Sequence, residues 1–295
     1  MKALVTGSAG FVGRHMAAAL RERGYDQMYV CDVAGVDSDH KFKCDMLAPG
    51  ALPTDYDIDL VVHCAYRVGG RQAINNSKEN LAYNLMLDAT LFRWCERAKP
   101  KRLLYYSSSA VYPTPFQTKI SPSRLTEDMV YEGGIDNPDA DYGFAKLAGE
   151  RMARNYAASG GVVHVLRPFS GYGNDQSLDY PFPTFVDRAK DGYAPFEVWG
   201  DPTSRRDWVH IDDVVGCSLA VLDQDYREPL NICTGRGASF AELARMMMKE
   251  AGYEAGIESI PGPEGVHTRV GDPTNMLKVY VPRVTLEEGV RRAFA

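Results

Sequence analysis

Short apolar runs alternate with helical segments through most of the chain, and this alternation constrains the fold more than any other feature. The runs KALVTG, QMYVCDV, DLVVHCA, RLLYYSS and VVHVLRP read as strands with apolar residues on both faces. Between them lie segments such as ENLAYNLMLDATLFRWCERA, with apolar residues at helical spacing. Buried strands separated by helices form parallel sheets with right-handed crossovers. The sequence therefore predicts an α/β fold with a doubly wound parallel sheet.

The amino-acid composition changes after Arg167, where the segment PFSGYGNDQSLDYPFPTF is rich in glycine, proline, tyrosine and aspartate. The stretch DWVHIDDVVGCSLAVLD and the following PLNICTG restore a helix and an apolar strand, so we expect the chain to return to the sheet there. We predict one domain from residues 1–167 plus about 207–235, and a smaller mixed α/β domain from residues 168–206 plus 236–295. A ligand site is expected between them, at the carboxyl ends of the strands.

Composition excludes several classes of function. The 295 residues carry a formal net charge of −6, so a broad surface for nucleic acid or for a membrane is not expected. No apolar stretch reaches the roughly 18 residues of a membrane span, and the N-terminus lacks the features of a signal peptide, so we expect a cytoplasmic protein. The cysteines show no metal-ligand spacing, and we expect reduced core thiols and no metal. They are Cys31, Cys44, Cys64, Cys95, Cys217 and Cys233.

The segment VTGSAGFVG places Gly7, Gly10 and Gly13 between the first strand and the first helix. Glycines there allow a tight turn, a close approach of the backbone to a pyrophosphate, and close packing of a helix whose N-terminal N–H groups attract negative charge. Asp32 ends the next strand, where its carboxylate can bind both ribose hydroxyls of an adenosine and repel a 2′-phosphate. The pattern predicts a Rossmann domain that binds NAD. Arg14, directly after the loop, keeps NADP open as an alternative.

Three consecutive hydroxyls, Ser107 to Ser109, follow the strand RLLYY, and Tyr142 and Lys146 lie four residues apart on a later helix, so both project from one face. A tyrosine with an ordinary pKa of about 10 is a poor base, but a neighbouring ammonium and the positive ring of a nicotinamide both favour its phenolate. The phenolate can take the proton of a sugar hydroxyl as a hydride leaves the same carbon. A serine can hold that hydroxyl in line.

Together these motifs resemble the extended short-chain dehydrogenase/reductase family, specifically its nucleotide-sugar epimerases and dehydratases. The matching segments cover essentially the whole chain and include TGSAGFVG, VVHCA, SSSAVYP, YGFAK, LRPFSGYG, RRDWVHIDD, LNICTGRGAS and RVGDPT. The resemblance implies that the catalytic residues are Ser108, Tyr142 and Lys146. It implies NAD contacts from Gly7, Gly10, Phe11, Val12, Gly13, Asp32, Asp45, Met46, Ala65, Tyr142, Lys146 and Pro168. It also implies that a nucleotide-diphosphate sugar is bound by Ser109, Ser170, Val198, Arg206 and Arg269.

Departures from the family's motifs limit the chemistry. Family members that perform 4,6-dehydration have an Asp-Glu pair at the positions of Ser109 and Ala110, neither of which can act as a carboxylic acid. The loop from Tyr66 to Ile74 is similar to that of GDP-fucose synthase and of the GDP-mannose 3,5-epimerases. Those enzymes have a cysteine where Ala110 stands, and DQSLDYPFPTFVDRA contains no histidine to assist it. Ser170 replaces the family's usual asparagine, which shortens or removes a contact to the sugar phosphate.

The chemistry that remains needs only Ser108, Tyr142, Lys146 and the cofactor, and it fits C4 epimerisation through a 4-keto sugar. A GDP-fucose-synthase-like epimerase/reductase and a different dehydratase stay open as alternatives. A more remote alternative, from a different class, is a non-catalytic NAD-binding regulator that has kept the fold.

Three further side chains and the oligomeric state complete the expectations. Arg67 and Arg71, in the loop after the fourth strand, are candidates for contacting an acidic sugar. His63 follows two valines in a strand and is interpreted as a buried structural histidine. The family also implies a homodimer, with apolar faces supplied by the helices near residues 76–97 and 142–159.

Overall fold

The structure is a computed structural model that describes residues 1–33, 41–43, 45–54, 57–71, 74, 79–120, 122–134 and 136–295. The elements up to residue 168 are β1 (Lys2–Thr6), α1 (Phe11–Glu22), β2 (Gln27–Asp32), β3 (Lys41–Lys43), β4 (Leu60–His63), α2 (Glu79–Ala98), β5 (Leu103–Tyr106), β6 (Arg124–Leu125), α3 (Ala140–Ala158) and β7 (Val163–Pro168). The elements after it are β8 (Ser170–Tyr172), α4 (Pro181–Lys190), β9 (Phe196–Trp199), β10 (Arg205–His210), α5 (Ile211–Asp223), β11 (Leu230–Ile232), β12 (Gly237–Ser239), α6 (Phe240–Glu250), β13 (Ile257–Ile260), β14 (Thr268–Gly271), α7 (Met276–Val279) and α8 (Leu286–Phe294).

The main sheet has the strand order β11-β7-β5-β4-β1-β2-β3 in the described residues. Every neighbouring pair of these strands runs parallel. From β1 the chain moves outward through β2 and β3, then crosses back to β4 on the other side of β1. The α/β fold with a doubly wound parallel sheet, as predicted, is confirmed. The change of direction between β1 and β4 is the point at which such sheets bind ligands.

Helices cover both faces of the main sheet, and for this reason its strands are apolar on both sides. On β4, Leu60 and Val62 face the core that contains α1 and α5, whereas Val61 faces the core that contains α2 and α3. The return of the chain to the sheet after residue 207 is visible in α5 and β11, since β11 pairs with β7. Of the helices in the described ranges, none is both long and apolar enough to cross a membrane.

A second sheet has the strand order β12-β10-β14-β6, with β8 also pairing with β10. A separate parallel pair joins β13 to β9. These strands pack with α4, α6 and α8 around a third core that includes Phe182, Leu243 and Val290. The boundary expected near residue 207 falls inside β10, which belongs to this second sheet and leads directly into α5. The division into two domains stays a prediction.

The expectation of reduced thiols is wrong at one position. Cys31, at the end of β2, is disulfide-bonded. Cys64, Cys95, Cys217 and Cys233 are free thiols, as expected. Apolar neighbours in a sequence indicate burial, but they do not show which sulfur the fold brings beside Cys31. Cys44 lies outside the described residues.

Candidate active site

A cavity of about 1020 Å³ lies at the carboxyl ends of the main-sheet strands and extends to residues of β9 and β10. Every residue assigned from the sequence to catalysis, to the cofactor or to the substrate lines this cavity. The assignments to individual roles stay predictions, but the fold brings all of the residues to one place. The order of the strands explains this, because parallel strands end at the same edge of the sheet.

Close backbone contacts at the end of β1 leave no room for a side chain at Gly7 or Gly13 of the glycine loop. Gly7 has a φ of +68°, and a Cβ there would lie 2.6 Å from the backbone nitrogen of Ala65. A Cβ on Gly13 would collide with the carbonyl oxygen of Gly7. Helix α1 begins after Gly10, and no described side chain caps it and no acid lies in its first turn, which leaves its first N–H groups for an anion. This cradle fits the pyrophosphate of NAD.

Asp32 lies at the end of β2, where its carboxylate accepts a hydrogen bond from the backbone N–H of Ala9 at 2.9 Å. This bond fixes the carboxylate against the glycine loop, as expected for a residue that binds ribose hydroxyls. Arg14, the alternative partner for a 2′-phosphate, is paired with Asp175 at 2.8 Å. The arrangement therefore favours NAD over NADP. The other residues assigned to the cofactor also line the cavity; among them are Phe11, Val12, Asp45, Met46 and Pro168.

Ser108, Tyr142 and Lys146 reach the cavity from two elements. Ser108 follows β5, and its hydroxyl accepts the backbone N–H of Ala110 at 3.1 Å at the start of a one-turn 3₁₀ helix. The same hydroxyl hydrogen-bonds the Tyr142 side chain, which α3 presents together with Lys146. Lys146 is buried, and its Nζ donates to the carbonyl oxygen of Tyr106 at 2.7 Å. The hydroxyl of Ser107 donates to the carboxylate of Glu150 instead, so Ser108 is the serine that interacts with Tyr142.

Burial raises the pKa of Tyr142, and the hydrogen bond with Ser108 and the charge of Arg269 offset this only in part. The negative charge of Asp88 raises the pKa further. The lowering of the Tyr142 pKa expected from the sequence does not arise from the protein's own groups, because burial outweighs the groups that lower this pKa. A positive charge brought by a ligand is therefore needed to favour the phenolate.

A buried polar network lies behind Lys146, and sequence reasoning did not identify it. Asp88 is fully buried in α2 and accepts hydrogen bonds from the hydroxyls of Tyr66 at 2.5 Å and Tyr105 at 2.8 Å. His63 contributes a third contact, with its Nε2 at 3.0 Å from the Asp88 carboxylate and its Nδ1 at 2.7 Å from the Thr6 hydroxyl. The interpretation of His63 as a buried structural histidine is confirmed. The signal for Asp88 in the sequence was a lone carboxylate within an apolar helical pattern.

Three arginines and one carboxylate form the cationic part of the cavity wall. Asp139 pairs with Arg71 at 2.8 Å and with Arg269 at 2.6 Å. Burial acts to raise the pKa of Asp139, but the two guanidinium charges outweigh it and hold this pKa at about 2. Arg206 donates to backbone carbonyls, and burial with the charge of Arg269 lowers its pKa to about 9. Three cations against one anion leave an excess of positive charge, which suits a diphosphate.

Asn84 holds the loop that follows β4. Its side-chain oxygen accepts the backbone N–H of Arg67 at 2.8 Å, and its nitrogen donates to the Arg67 carbonyl at 3.0 Å. The guanidinium of Arg67 lies over the ring of Tyr83, 3.4 Å from its centroid, and Arg71 donates to the carbonyl of Glu264 besides pairing with an acid. Both arginines considered for an acidic sugar therefore line the cavity, but both already have partners.

The remaining residues assigned to the substrate come from three different segments. Ser109 is buried in the 3₁₀ turn, and Ser170 begins β8. Val198 is only 1% exposed and packs in the core around α4 and α6, so little of its side chain is open to a ligand. Its neighbour Trp199 is 47% exposed and lines the cavity, which makes it the better surface for a nucleobase.

The comparisons with known proteins agree with this geometry. The family model described as "NAD dependent epimerase/dehydratase family" matches residues 3–233. The chain belongs to this family. The resemblance seen in the motifs is thereby confirmed, and NAD is the cofactor of the family.

Proteins similar to this chain have names that describe different reactions. GDP-mannose 3,5-epimerase from Arabidopsis thaliana is 27% identical over 99% of this chain and 80% of its own. The dTDP-4-dehydro-6-deoxy-D-allose reductase of Streptomyces bikiniensis is 29% identical over 98% of this chain and 94% of its own. Among solved structures, UDP-glucuronic acid 4-epimerase from Bacillus cereus, in complex with UDP-glucuronic acid and NAD, is 26% identical with a TM-score of 0.84, covering 100% of this chain and 98% of that one.

The glycine cradle leads to a prediction about cofactor binding. We expect Gly13→Ala to weaken NAD binding by roughly tenfold, because overpacking of a tight contact costs about 1–3 kcal/mol. Isothermal titration calorimetry measures the change. Gly256→Ala is the matched control, since a Cβ there has nothing within 4 Å. Equal NAD affinities in the two variants would argue against the cradle as the pyrophosphate site.

The burial of Lys146 leads to a prediction about pH. Burial lowers its pKa to about 8, so we expect its side chain to lose its proton near that pH. The measurement is a ¹³C NMR titration of the lysine Cε signals, with the Lys146 signal assigned by its loss in Lys146→Met. The unfolded chain keeps this proton longer, so this group makes the free energy of unfolding rise between about pH 8 and pH 10. Exposed Lys101, whose pKa the partner Asp59 raises, is the internal control. A Lys146 midpoint as high as that of Lys101 contradicts the prediction.

Proposed function

We propose that this protein is an NAD-dependent nucleotide-sugar 4-epimerase. The observation that carries the proposal is the surroundings of Tyr142 in the cavity wall. Ser108 and Lys146 accompany it beside the glycine loop, whereas the neighbouring Asp139, Tyr66 and Cys64 have pKa values shifted away from neutrality. A reaction that needs one proton acceptor, one hydroxyl donor and a hydride carrier is the one that this set of residues supports best.

The groups around Tyr142 explain why chemistry with a second acid or base is less well supported. Asp139 is held as a carboxylate, with a pKa of about 2, by two arginines. Burial, and then the charge of Asp88, raise the pKa of Tyr66, whose ring lies edge-on to that of Tyr142 at 6.1 Å. Burial also raises the pKa of the Cys64 thiol to about 12. A dehydratase or a 3,5-epimerase needs a further group that gives or takes a proton near pH 7.

Each protein group has a defined task in the proposed reaction. The glycine loop and Asp32 would hold NAD, which would supply the hydride acceptor and donor for C4 of the sugar. Tyr142 takes the proton of the C4 hydroxyl and later gives it back to the same oxygen, so no proton is lost over a cycle. Ser108 shares a hydrogen bond with that oxygen and keeps it within reach of Tyr142. Lys146, one turn along the same helix face, adds a buried positive charge to the wall.

We infer that the diphosphate of the substrate binds at the cationic part of the wall. Arg206 is half-buried, donates to backbone carbonyls and forms no ion pair within the described residues, so its charge is available to a phosphate. Arg269 lies beside it on β14, which pairs with β10 in a register that places the two residues opposite each other. Trp199 and Ser170 line the same cavity and complete the proposed nucleotide-sugar site.

The test uses proton NMR in D₂O with NAD and a panel of UDP-, GDP-, dTDP- and CDP-sugars. We expect inversion at C4 without entry of deuterium into the sugar ring, because the hydride leaves and returns without exchange with solvent. Tyr142→Phe should lower kcat by about 10²–10⁴-fold while NAD binding is retained, since only the hydroxyl is removed. Tyr131→Phe, at a tyrosine that is 50% exposed, is the control and should keep full activity.

Other outcomes of the same experiment identify the alternatives. Deuterium at a carbon next to C4 means an enolising epimerase, and loss of a hydroxyl means a dehydratase. In a companion assay with NADH and a 4-keto nucleotide sugar, net consumption of NADH means a reductase, which the same three residues can support. NAD binding without turnover of any sugar, with a biological role unchanged by Tyr142→Phe, means a cofactor-binding regulator.

We also propose that the protein is a homodimer formed through α2 and α3. These helices pack side by side, and Met86 on α2 is 53% exposed, an apolar side chain suited to an interface. Residues 76–78, at the start of the helix expected from the sequence, lie outside the described residues. Sedimentation velocity at micromolar concentration should show a dimer that Met86→Glu dissociates, and a monomeric wild type would rule the proposal out. The cytoplasmic location stays a prediction.

A further inference from the structure

The ammonium of Lys146 lies against aromatic rings. Its Nζ is 3.2 Å from the centroid of the Tyr66 ring and 5.3 Å from that of Tyr105. In the described part of the chain no carboxylate forms an ion pair with it, and its hydrogen bond goes to the backbone carbonyl of Tyr106. A buried cation without a carboxylate partner needs another source of stabilisation. The face of an aromatic ring, with its negative quadrupole, supplies one.

The Tyr66 ring is itself fixed by Asp88. The Tyr66 hydroxyl donates to the Asp88 carboxylate at 2.5 Å, and the Tyr105 hydroxyl and His63 hold the same carboxylate from two other sides. The side chain of Asp88 is fully buried, so its charge acts in a medium of low dielectric constant. The ammonium, the ring and the carboxylate thus form one connected unit.

Gly149 permits this approach of the two helices. It lies on α3 one turn beyond Lys146, and a Cβ there would collide with the Tyr105 hydroxyl and with the Asp88 carboxylate. The close contact between α2 and α3 at this level therefore depends on the absence of a side chain. This is a second, independent sign that the fold is built around the position of Asp88.

We propose that Tyr66 and Asp88 are positioning residues for Lys146: Tyr66 presents its ring face to the ammonium, and Asp88 anchors the ring and supplies the counter-charge. This proposal rests on the proposed function, in which Lys146 contributes a positive charge to the cavity wall that also carries Tyr142. Tyr66 is not a rival proton acceptor, because burial and the charge of Asp88 raise its pKa.

The charges around Lys146 identify Asp88 as the group to test. Burial lowers the pKa of Lys146, and the charge of Asp88 is the strongest influence in the opposite direction. Glu150, on the same helix, acts in the same direction but is paired with Arg167. The titratable groups that face Lys146 come from α2, from β4 and the loop after it, from β5 and from α3; they are Asp88, His63, Cys64, Tyr66, Tyr105, Tyr106, Tyr142 and Glu150.

The test compares the ¹³C NMR titration of Lys146 in four variants. Asp88→Asn removes the charge and keeps the volume, and it should lower the Lys146 midpoint by roughly 1 pH unit. Tyr66→Leu removes the ring face and should lower the midpoint by a similar amount. Tyr66→Phe keeps the ring face but loses the hydroxyl that Asp88 holds, so its midpoint should fall between those of Tyr66→Leu and the wild type. Glu96→Gln removes an exposed carboxylate from α2, the helix that also carries Asp88, and is the control for unspecific effects of charge.

Unchanged Lys146 midpoints in Asp88→Asn and Tyr66→Leu would overturn the proposal, provided that circular dichroism shows both variants to be folded. If Asp88→Asn does not fold, the Tyr66 pair decides: a lower midpoint in Tyr66→Leu than in Tyr66→Phe supports the proposal, and equal midpoints refute it. The NMR titration needs no turnover, so it separates the two proposals. If the Lys146 midpoints shift as expected but the protein inverts no sugar, the positioning roles stand and only the proposed epimerase function is refuted. In an active epimerase, kcat should fall further in Tyr66→Leu than in Tyr66→Phe.

Discussion

A buried ion pair between Glu150 and Arg167 fixes α3, the helix that carries two of the side chains proposed for catalysis. The guanidinium of Arg167, at the end of β7, donates to both oxygens of Glu150 at 2.8 and 2.7 Å, and Ser107 donates to the same carboxylate at 2.5 Å. Tyr142, Lys146 and Glu150 are four residues apart in turn, so they share one face of α3. Loss of one partner would leave a buried unpaired charge at a cost of about 3–5 kcal/mol. The position of the tyrosine over the sheet depends on this pair.

The main sheet and the lining of the cavity are predictable from the sequence because both follow from local patterns. Apolar runs on both faces indicate buried parallel strands, and the carboxyl ends of such strands meet at one edge. Gly7 and Gly13 occur where a strand turns into a helix, and Tyr142 and Lys146 differ by one helical turn. The family motifs then select Ser108 from three consecutive serines, and its hydrogen bond with Tyr142 agrees with that choice.

The electrostatic environment is not predictable in the same way, because it depends on side chains far apart in the chain. Asp139 and Arg269 are 130 residues apart, and neither lies in a sequence pattern that predicts their ion pair. Asp88 resembles any acid on a helix until Tyr66 and Tyr105 are seen to converge on it. The raised pKa of Tyr142 has the same origin, since burial is a property of the whole fold and of no single motif.

Asp139 connects the arginines of the cavity wall with α3. It directly precedes α3, yet its carboxylate does not cap the helix and instead binds Arg71 and Arg269. The next residue, Ala140, has a φ of +59°, a conformation that favours glycine, so the backbone is strained where the helix begins. The proposed binding of the diphosphate and the proposed chemistry at Tyr142 are therefore linked through one carboxylate. A substitution of Arg269 would remove one partner of Asp139 at the first turn of the helix that holds Tyr142, so a change in the proposed diphosphate contacts would require compensating changes in that turn.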